Sequence, residues 1–213
     1  MTDALDRLLD SGVVAVLRGI DPEKMIETVA ALRAAGVTAI EITADAPDAS
    51  RTLSRVVDAT DDDALVGAGT VMDAATASRV IEAGAEFVVS PHFDPAVVET
   101  ATRRGVVVGP GIMTPTEAAD AMAAGADLLK VFPASTVGPG HLGAIQAPLG
   151  EIPIMPTGGI DADNVAAFFD GGAAVVGAGS ALIDYDAVER GDYDAVESHA
   201  SEFVAAVDAA SPE

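Results

Sequence analysis

The chain contains no cysteine, so disulfides, thiolate metal sites and a cysteine nucleophile are all excluded. Its three histidines, His92, His141 and His199, do not stand at metal-ligand spacing, and neither H-E-x-x-H nor an acidic metal-loop motif occurs. A metal-dependent mechanism is therefore disfavoured, and no cofactor is expected. Basic residues are scarce, 11 Lys and Arg against 34 Asp and Glu, for a formal net charge of −23. Such a charge repels nucleic-acid phosphates and anionic lipid head groups at long range, so neither nucleic acid nor a membrane is expected as a partner. No segment approaches 18 uninterrupted apolar residues, and the opening "MTDALDRLLDSG" lacks a positive region followed by an apolar run. The cytoplasm is the default location.

The acids are mostly Asp and scatter through the chain, while 50% of the residues remain hydrophobic, which is not the composition of a disordered acidic tail. A globular protein with this surface repels itself in dilute buffer, and salt screens the repulsion, so the composition reads as that of a halophilic source. Urea unfolding is accordingly expected to show a midpoint that rises from low to multimolar KCl; a midpoint indifferent to salt would contradict the halophilic reading.

Eight apolar runs recur, near residues 13–19, 39–44, 65–71, 87–92, 106–112, 128–134, 152–159 and 174–182. Each is followed by a turn, a helical stretch and a glycine, a repeat that has to be read before any motif. Asp21 with Pro22, and Asp94 with Pro95, are N-cap and first-turn signals, and Thr114 with Glu117 is a capping box. Gly84, Gly105, Gly125, Gly150 and Gly171 stand 20 to 25 residues apart, the length of one strand plus one helix. Strands rich in Val, Ile and Ala and apolar on both faces predict a parallel sheet, and eight such units predict a single-domain α/β protein with a (β/α)8 TIM barrel over residues 1–213. An open doubly wound sheet is the alternative, but no G-x-G-x-x-G opens the first turn. Beyond about residue 184 the pattern predicts one last helix, "YDAVESHASEFVAAVDAA", and an acidic tail.

In a parallel barrel the chemistry sits where strands end, so polar residues late in the runs matter most. Only two lysines occur, Lys24 and Lys130, and the second stands inside the apolar run "DLLKVFPAS". Alternation puts Leu128, Lys130 and Phe132 on one face. A lysine there can snorkel or pair with an acid; surrounded by apolar groups, it can instead lose its charge and attack a carbonyl, as a Schiff-base lysine does. Glu41 in "AIEITA" is a carboxylate on a mid-sheet strand, where it must be paired or used. If both point inward, Glu41 can move protons for an adduct on Lys130. "PTGGID" and "GAGS", after the seventh and eighth runs, are glycine-rich turns suited to an anion, with Asp161 starting a helix and Ser180 offering a hydroxyl. Arg18 and Thr70 could hold a small carboxylate.

Taken in order, "EIT" at Glu41, "VGAGTV" at 66–71, "SPH" at 90–92, "PGIMTPTE" at 110–117, "LLKVFP" at 128–133 and "PTGGI" at 156–160 resemble the 2-keto-3-deoxy-6-phosphogluconate (KDPG) aldolase family from about residue 12 to 183. The resemblance implies a (β/α)8 barrel, a homotrimer and a metal-free class I aldolase. Such an enzyme reversibly cleaves the phosphorylated 2-keto acid into pyruvate and glyceraldehyde 3-phosphate, the aldol step of Entner–Doudoroff sugar breakdown. By motif, Lys130 would form the Schiff base and Glu41 would shuttle protons. Arg18 and Thr70 would hold the pyruvyl carboxylate, Pro91 and Phe132 would wall the pyruvate pocket, and Gly158, Gly159, Gly179 and Ser180 would hold the phosphate. One position departs: some members of the family have an Arg just after the "E-x-T" strand, where this chain has Asp45. An acid cannot grip a carboxylate, so that duty falls on Arg18. Relatives acting on 2-keto-3-deoxy-6-phosphogalactonate or 4-hydroxy-2-oxoglutarate are resembled almost as well. A phosphosugar isomerase or epimerase, or a phosphometabolite-binding barrel, is the more distant alternative.

Overall fold

A computed structural model of the chain describes residues 2–61, 63–150 and 152–211. Its strands are β1 (Val13–Leu17), β2 (Ala39–Thr43), β3 (Leu65–Gly69), β4 (Phe87–Val89), β5 (Val107–Gly109), β6 (Gly111–Ile112), β7 (Leu129–Val131), β8 (Ile154–Pro156) and β9 (Val176–Ala178). Its helices are α1 (Thr2–Asp10), α2 (Met25–Ala34), α3 (Ala49–Ala59), α4 (Ala74–Glu82), α5 (Pro95–Arg103), α6 (Pro115–Ala124), α7 (Ala134–Val137), α8 (Gly140–Leu149), α9 (Val165–Asp170), α10 (Tyr185–Arg190) and α11 (Tyr193–Ala210). None of them is long and apolar enough to cross a membrane.

Each expected run carries a strand, and all strand pairs are parallel. The regular ladders divide into a six-stranded sheet, ordered β5-β4-β3-β2-β1-β9, and a three-stranded one, ordered β6-β7-β8. The parallel α/β expectation is met as a curled sheet interrupted at two seams, and its regular ladders do not close into an eight-stranded barrel. One seam falls at Pro110, which has no N–H to give and splits the expected run 106–112 into β5 and β6. At the other, between β8 and β9, single contacts replace a ladder: Ala174 N–H donates to the Ile154 carbonyl at 2.9 Å, and Thr157 bridges Gly177.

Alternation along the strands sorts the core in two. Outward residues such as Ile40, Ile42, Leu129 and Val131 pack against the helices. Inward residues Val14, Ala39, Leu65, Phe87, Val107, Leu128, Met155 and Val175, drawn from both sheets, pack together with Leu8 of α1 against one end. One shared interior therefore lies between the sheets.

The helix signals divide. Asp94 and Thr114 cap α5 and α6 through their side chains, Thr114 and Glu117 form the reciprocal capping box, and Gly125 closes α6 with φ of 97°. The Met113 N–H and the hydroxyl and N–H of Thr114 all donate to Glu117, which holds its carboxyl below the usual range. By contrast α2 begins at Met25, because the Asp21 carboxylate accepts from Glu23 N–H two residues on and shapes a turn ahead of the helix. Asp161 behaves alike: it accepts from Asp163 and Asn164 N–H, and α9 starts only at Val165. The expected last helix "YDAVESHASEFVAAVDAA" is α11 over its whole length, and the short α10, parted from it at Gly191 with φ of 70°, precedes it unannounced by the sequence.

Candidate active site

On the inner face, the layer above the packed end is built differently. Val16, Glu41, Lys130 and Thr157 stand there with the small Gly177 and Gly179, and the interior opens instead of filling. The result is a cavity of about 600 Å³, and all ten residues singled out in the sequence line it: Arg18, Glu41, Thr70, Pro91, Lys130, Phe132, Gly158, Gly159, Gly179 and Ser180. Val16, Thr157, Ile160, Asp161, Gly177 and Ala181 complete the wall.

At its floor Lys130 of β7 meets Glu41 of β2. The ammonium nitrogen lies 3.2 Å from Glu41 Oε2 and 3.5 Å from Oε1, although 89 residues separate them and they belong to different sheets. Their side chains are 6% and 1% exposed, so the pair is buried yet opens on the cavity. The ion-pair reading of these residues is thereby realised in geometry. A structural pair buried in packed core would nevertheless face no space, whereas this one faces a chamber large enough for a small ligand. Leu128 lies one layer below in the packed end, and the Phe132 ring stands 5.9 Å from the nitrogen, at the distance of a cation–π contact.

Two glycines make room for polar side chains. A Cβ on Gly69 would overlap the Glu41 carboxyl, and one on Gly177 would overlap the Thr157 hydroxyl. The register pairs Glu41 with Gly67, and the side chain leans along the strand over Gly69. The sequence reading missed Gly69, since "LVGAGTV" reads simply as a strand, and took Gly177 of "GAGS" only as part of an anion-suited turn. Thr157 Oγ1 is buried and has no hydrogen-bond partner among the described residues, so it stands ready for a ligand hydroxyl.

At the rim, Arg18 follows β1 and is tied on three sides. Its main-chain N–H donates to Tyr185 Oη at 3.5 Å, Nη2 donates to Thr70 Oγ1 at 2.6 Å, and Nη1 pairs with the Asp45 carboxylate. Burial pushes the Tyr185 phenol above its ordinary range, so its hydroxyl keeps a proton to donate to the Val16 carbonyl at 3.4 Å. Thr70 has φ of 55°, a left-handed conformation disfavoured for a β-branched residue and typical of sites where geometry is imposed from outside. Across the cavity, Gly158 and Gly159 have φ of 92° and 76°, and a Cβ on Gly159 would press on Ser135. Only glycine serves that turn. Among the described residues, no group of three or more His, Asp or Glu could hold a metal ion.

The comparisons with known proteins agree with one another. Residues 5–199 match the family described as "Aldolase: KDPG and KHG aldolase". The chain is 41% identical over 175 residues to the probable 2-dehydro-3-deoxy-6-phosphogalactonate aldolase of Rhizobium meliloti, covering 82% of each chain. To the KHG/KDPG aldolase of Escherichia coli it is 34% identical over 207 residues, covering 95% of each. Among solved structures, it superposes with a TM-score of 0.87 and 25% identity on the KDPG aldolase of Legionella pneumophila, covering 94% of this chain and 97% of that one. That crystal holds pyruvate captured at low pH as a covalent carbinolamine intermediate.

Proposed function

Because the chain belongs to the KDPG and KHG aldolase family, we propose that it is a class I aldolase that cleaves a 2-keto-3-deoxy-6-phosphohexonate to pyruvate and glyceraldehyde 3-phosphate through an imine on Lys130. The observation that carries this reading is the Lys130–Glu41 contact at the floor of the cavity. With its proton passed to Glu41, the amine attacks the C2 carbonyl to give a carbinolamine; Glu41 returns that proton to the departing hydroxyl, which leaves as water, so an iminium forms and the Glu41 carboxylate is restored. Glu41 then takes the C4 hydroxyl proton, the C3–C4 bond breaks, and its electron pair flows into the iminium to give an enamine as the aldehyde departs. Return of that proton to C3 and addition of water release pyruvate and restore the amine.

The other lining residues divide along the substrate. Arg18 and Thr70 hold the carboxylate, Pro91 and Phe132 wall the pyruvyl group, and the Gly158–Gly159 turn with Gly179 and Ser180 receives the phosphate at the far end. We read the two sheets as one (β/α)8 barrel in a single domain, a reading supported by the hydrogen bonds across the Pro110 and β8–β9 seams. A homotrimer is the assembly proposed from the family resemblance.

For the C4 configuration, 41% identity to the galactonate-series relative against 34% to the KHG/KDPG one moves the leading assignment from the gluconate to the galactonate epimer. The gluconate epimer stays as a second reading, because the KHG/KDPG relative is matched over 95% of the chain. Feeding each epimer separately and following pyruvate release in high salt decides the matter. Pyruvate is expected from both, faster from the galactonate epimer; pyruvate from neither would overturn the assignment.

Removing the carboxylate grip gives a further expectation. Arg18→Ala should raise the pyruvate KM by about 10- to 100-fold, the scale of a lost hydrogen bond to a charged group. Dependence on the substrate phosphate should stay unchanged; the reverse pattern in the two dependences would reassign Arg18 to the phosphate.

A further inference from the structure

We infer that Asp45 is a positioning residue that holds the Arg18 fork towards the cavity, an inference that rests on Arg18 being the group that grips the pyruvyl carboxylate. Arginine carries a long side chain with much rotamer freedom, and the Arg18 side chain is 53% exposed at the rim, where packing alone does not fix it. What fixes it is polar. Thr70 Oγ1 takes a hydrogen from Nη2, and the Asp45 carboxylate takes one from Nη1. Each of these nitrogens has a second N–H, and Nε–H is a further donor, so a carboxylate can be bound without releasing either tether.

Asp45 stands two residues beyond β2, the strand that carries Glu41, so one strand sets both the proton-transfer carboxylate and the anchor of the arginine. It does not line the cavity, which means that it acts through Arg18 and not on a ligand. Its charge is the same as the ligand's and opposes binding, so orientation is what it contributes. The strained Thr70 fits the same purpose, for its left-handed backbone aims the hydroxyl at the other arm of the fork. Tyr185 completes the clamp from α10 by holding the Arg18 main chain.

Asparagine and alanine separate orientation from charge, since both are neutral but only asparagine keeps an acceptor oxygen. The experiment is borohydride trapping of pyruvate read by intact mass, over a range of pyruvate concentrations in one high-salt buffer. Asp45→Ala is expected to need about tenfold more pyruvate for half-maximal adduct than Asp45→Asn, the scale of a hydrogen bond to a charged group. Both should reach the wild-type adduct level at saturation, because Lys130 and Glu41 are untouched. In an Arg18→Ala background the difference should vanish. Equal half-saturation in the two single variants, or a difference that survives without Arg18, overturns the positioning role. A wild-type protein that forms no adduct overturns the Schiff-base reading instead.

Discussion

Incubated with pyruvate and sodium borohydride in high salt, wild-type protein is expected to gain one pyruvyl-sized mass and Lys130→Ala none. Turnover of the lysine variant should fall by at least about 10⁴-fold, the scale on which deletion of a covalent nucleophile acts. Deleting the lysine also strands the Glu41 carboxylate, only 1% exposed, without its counter-charge. Breaking a buried pair in this way costs about 3–5 kcal/mol, so the variant must be shown to be folded before its silence counts. Glu41→Gln added to Lys130→Ala should recover much of that stability, because neutralising the stranded group removes the penalty. Glu41→Gln alone should still be trapped by borohydride while turnover falls about 10²- to 10⁴-fold, the range for loss of a general acid and base. An adduct that persists in folded Lys130→Ala would place the imine elsewhere. A folded wild type without an adduct would favour the isomerase or binding-protein alternatives.

Gly69→Ala is expected to resemble Glu41→Gln although it removes no functional group. A Cβ at this position overlaps the Glu41 carboxyl, while the backbone of Gly69 is not left-handed, so alanine meets no conformational objection. The whole effect is therefore steric. With Glu41 packed on β2 and paired to Lys130, the carboxylate has to leave its place against the amine. Turnover should drop by about 10²- to 10³-fold and stability by about 1–3 kcal/mol, the cost of overpacking a filled site. Steady-state kinetics beside urea unfolding in high salt checks both. Near-wild-type turnover would show that Glu41 can work from a second position, and would loosen the link between its observed geometry and proton transfer.

Salt belongs to the same set of measurements. Among the described residues, seven of the 11 basic residues pair with acids, but apart from Lys130–Glu41 these pairs are exposed or only partly buried, and exposed pairs contribute only about 0–1 kcal/mol each. The remaining acids repel one another unscreened in dilute buffer, and high ionic strength relieves that repulsion.

Much of the molecule follows from local chemistry that a sequence carries. Strand periodicity set Lys130 on one face with Leu128 and Phe132 without saying which face turns inward, and the eight runs, the capping box at Thr114 and the stop at Gly125 depend on neighbours within a few residues. A lone lysine in an apolar run was legible because the composition leaves it no surface duty. Where short-range signals compete, they mislead: Asp21 reads as a helix cap and Asp161 as a helix start, yet each carboxylate satisfies N–H groups of a turn that precedes the helix.

Tertiary structure decided what depends on register between strands distant in sequence, since a hydrophobic pattern says which face a residue takes but not which residue it will meet. That Glu41 reaches Lys130 across 89 residues, and that Gly69 vacates the volume for its carboxylate, are properties of how β2, β3 and β7 stand around one interior. The pairing of Asp45 with Arg18 is of the same kind. In the sequence Asp45 is only an acid where some relatives of this family carry a base; in the fold it is the group that aims the arginine, because the ends of β1 and β2 lie side by side.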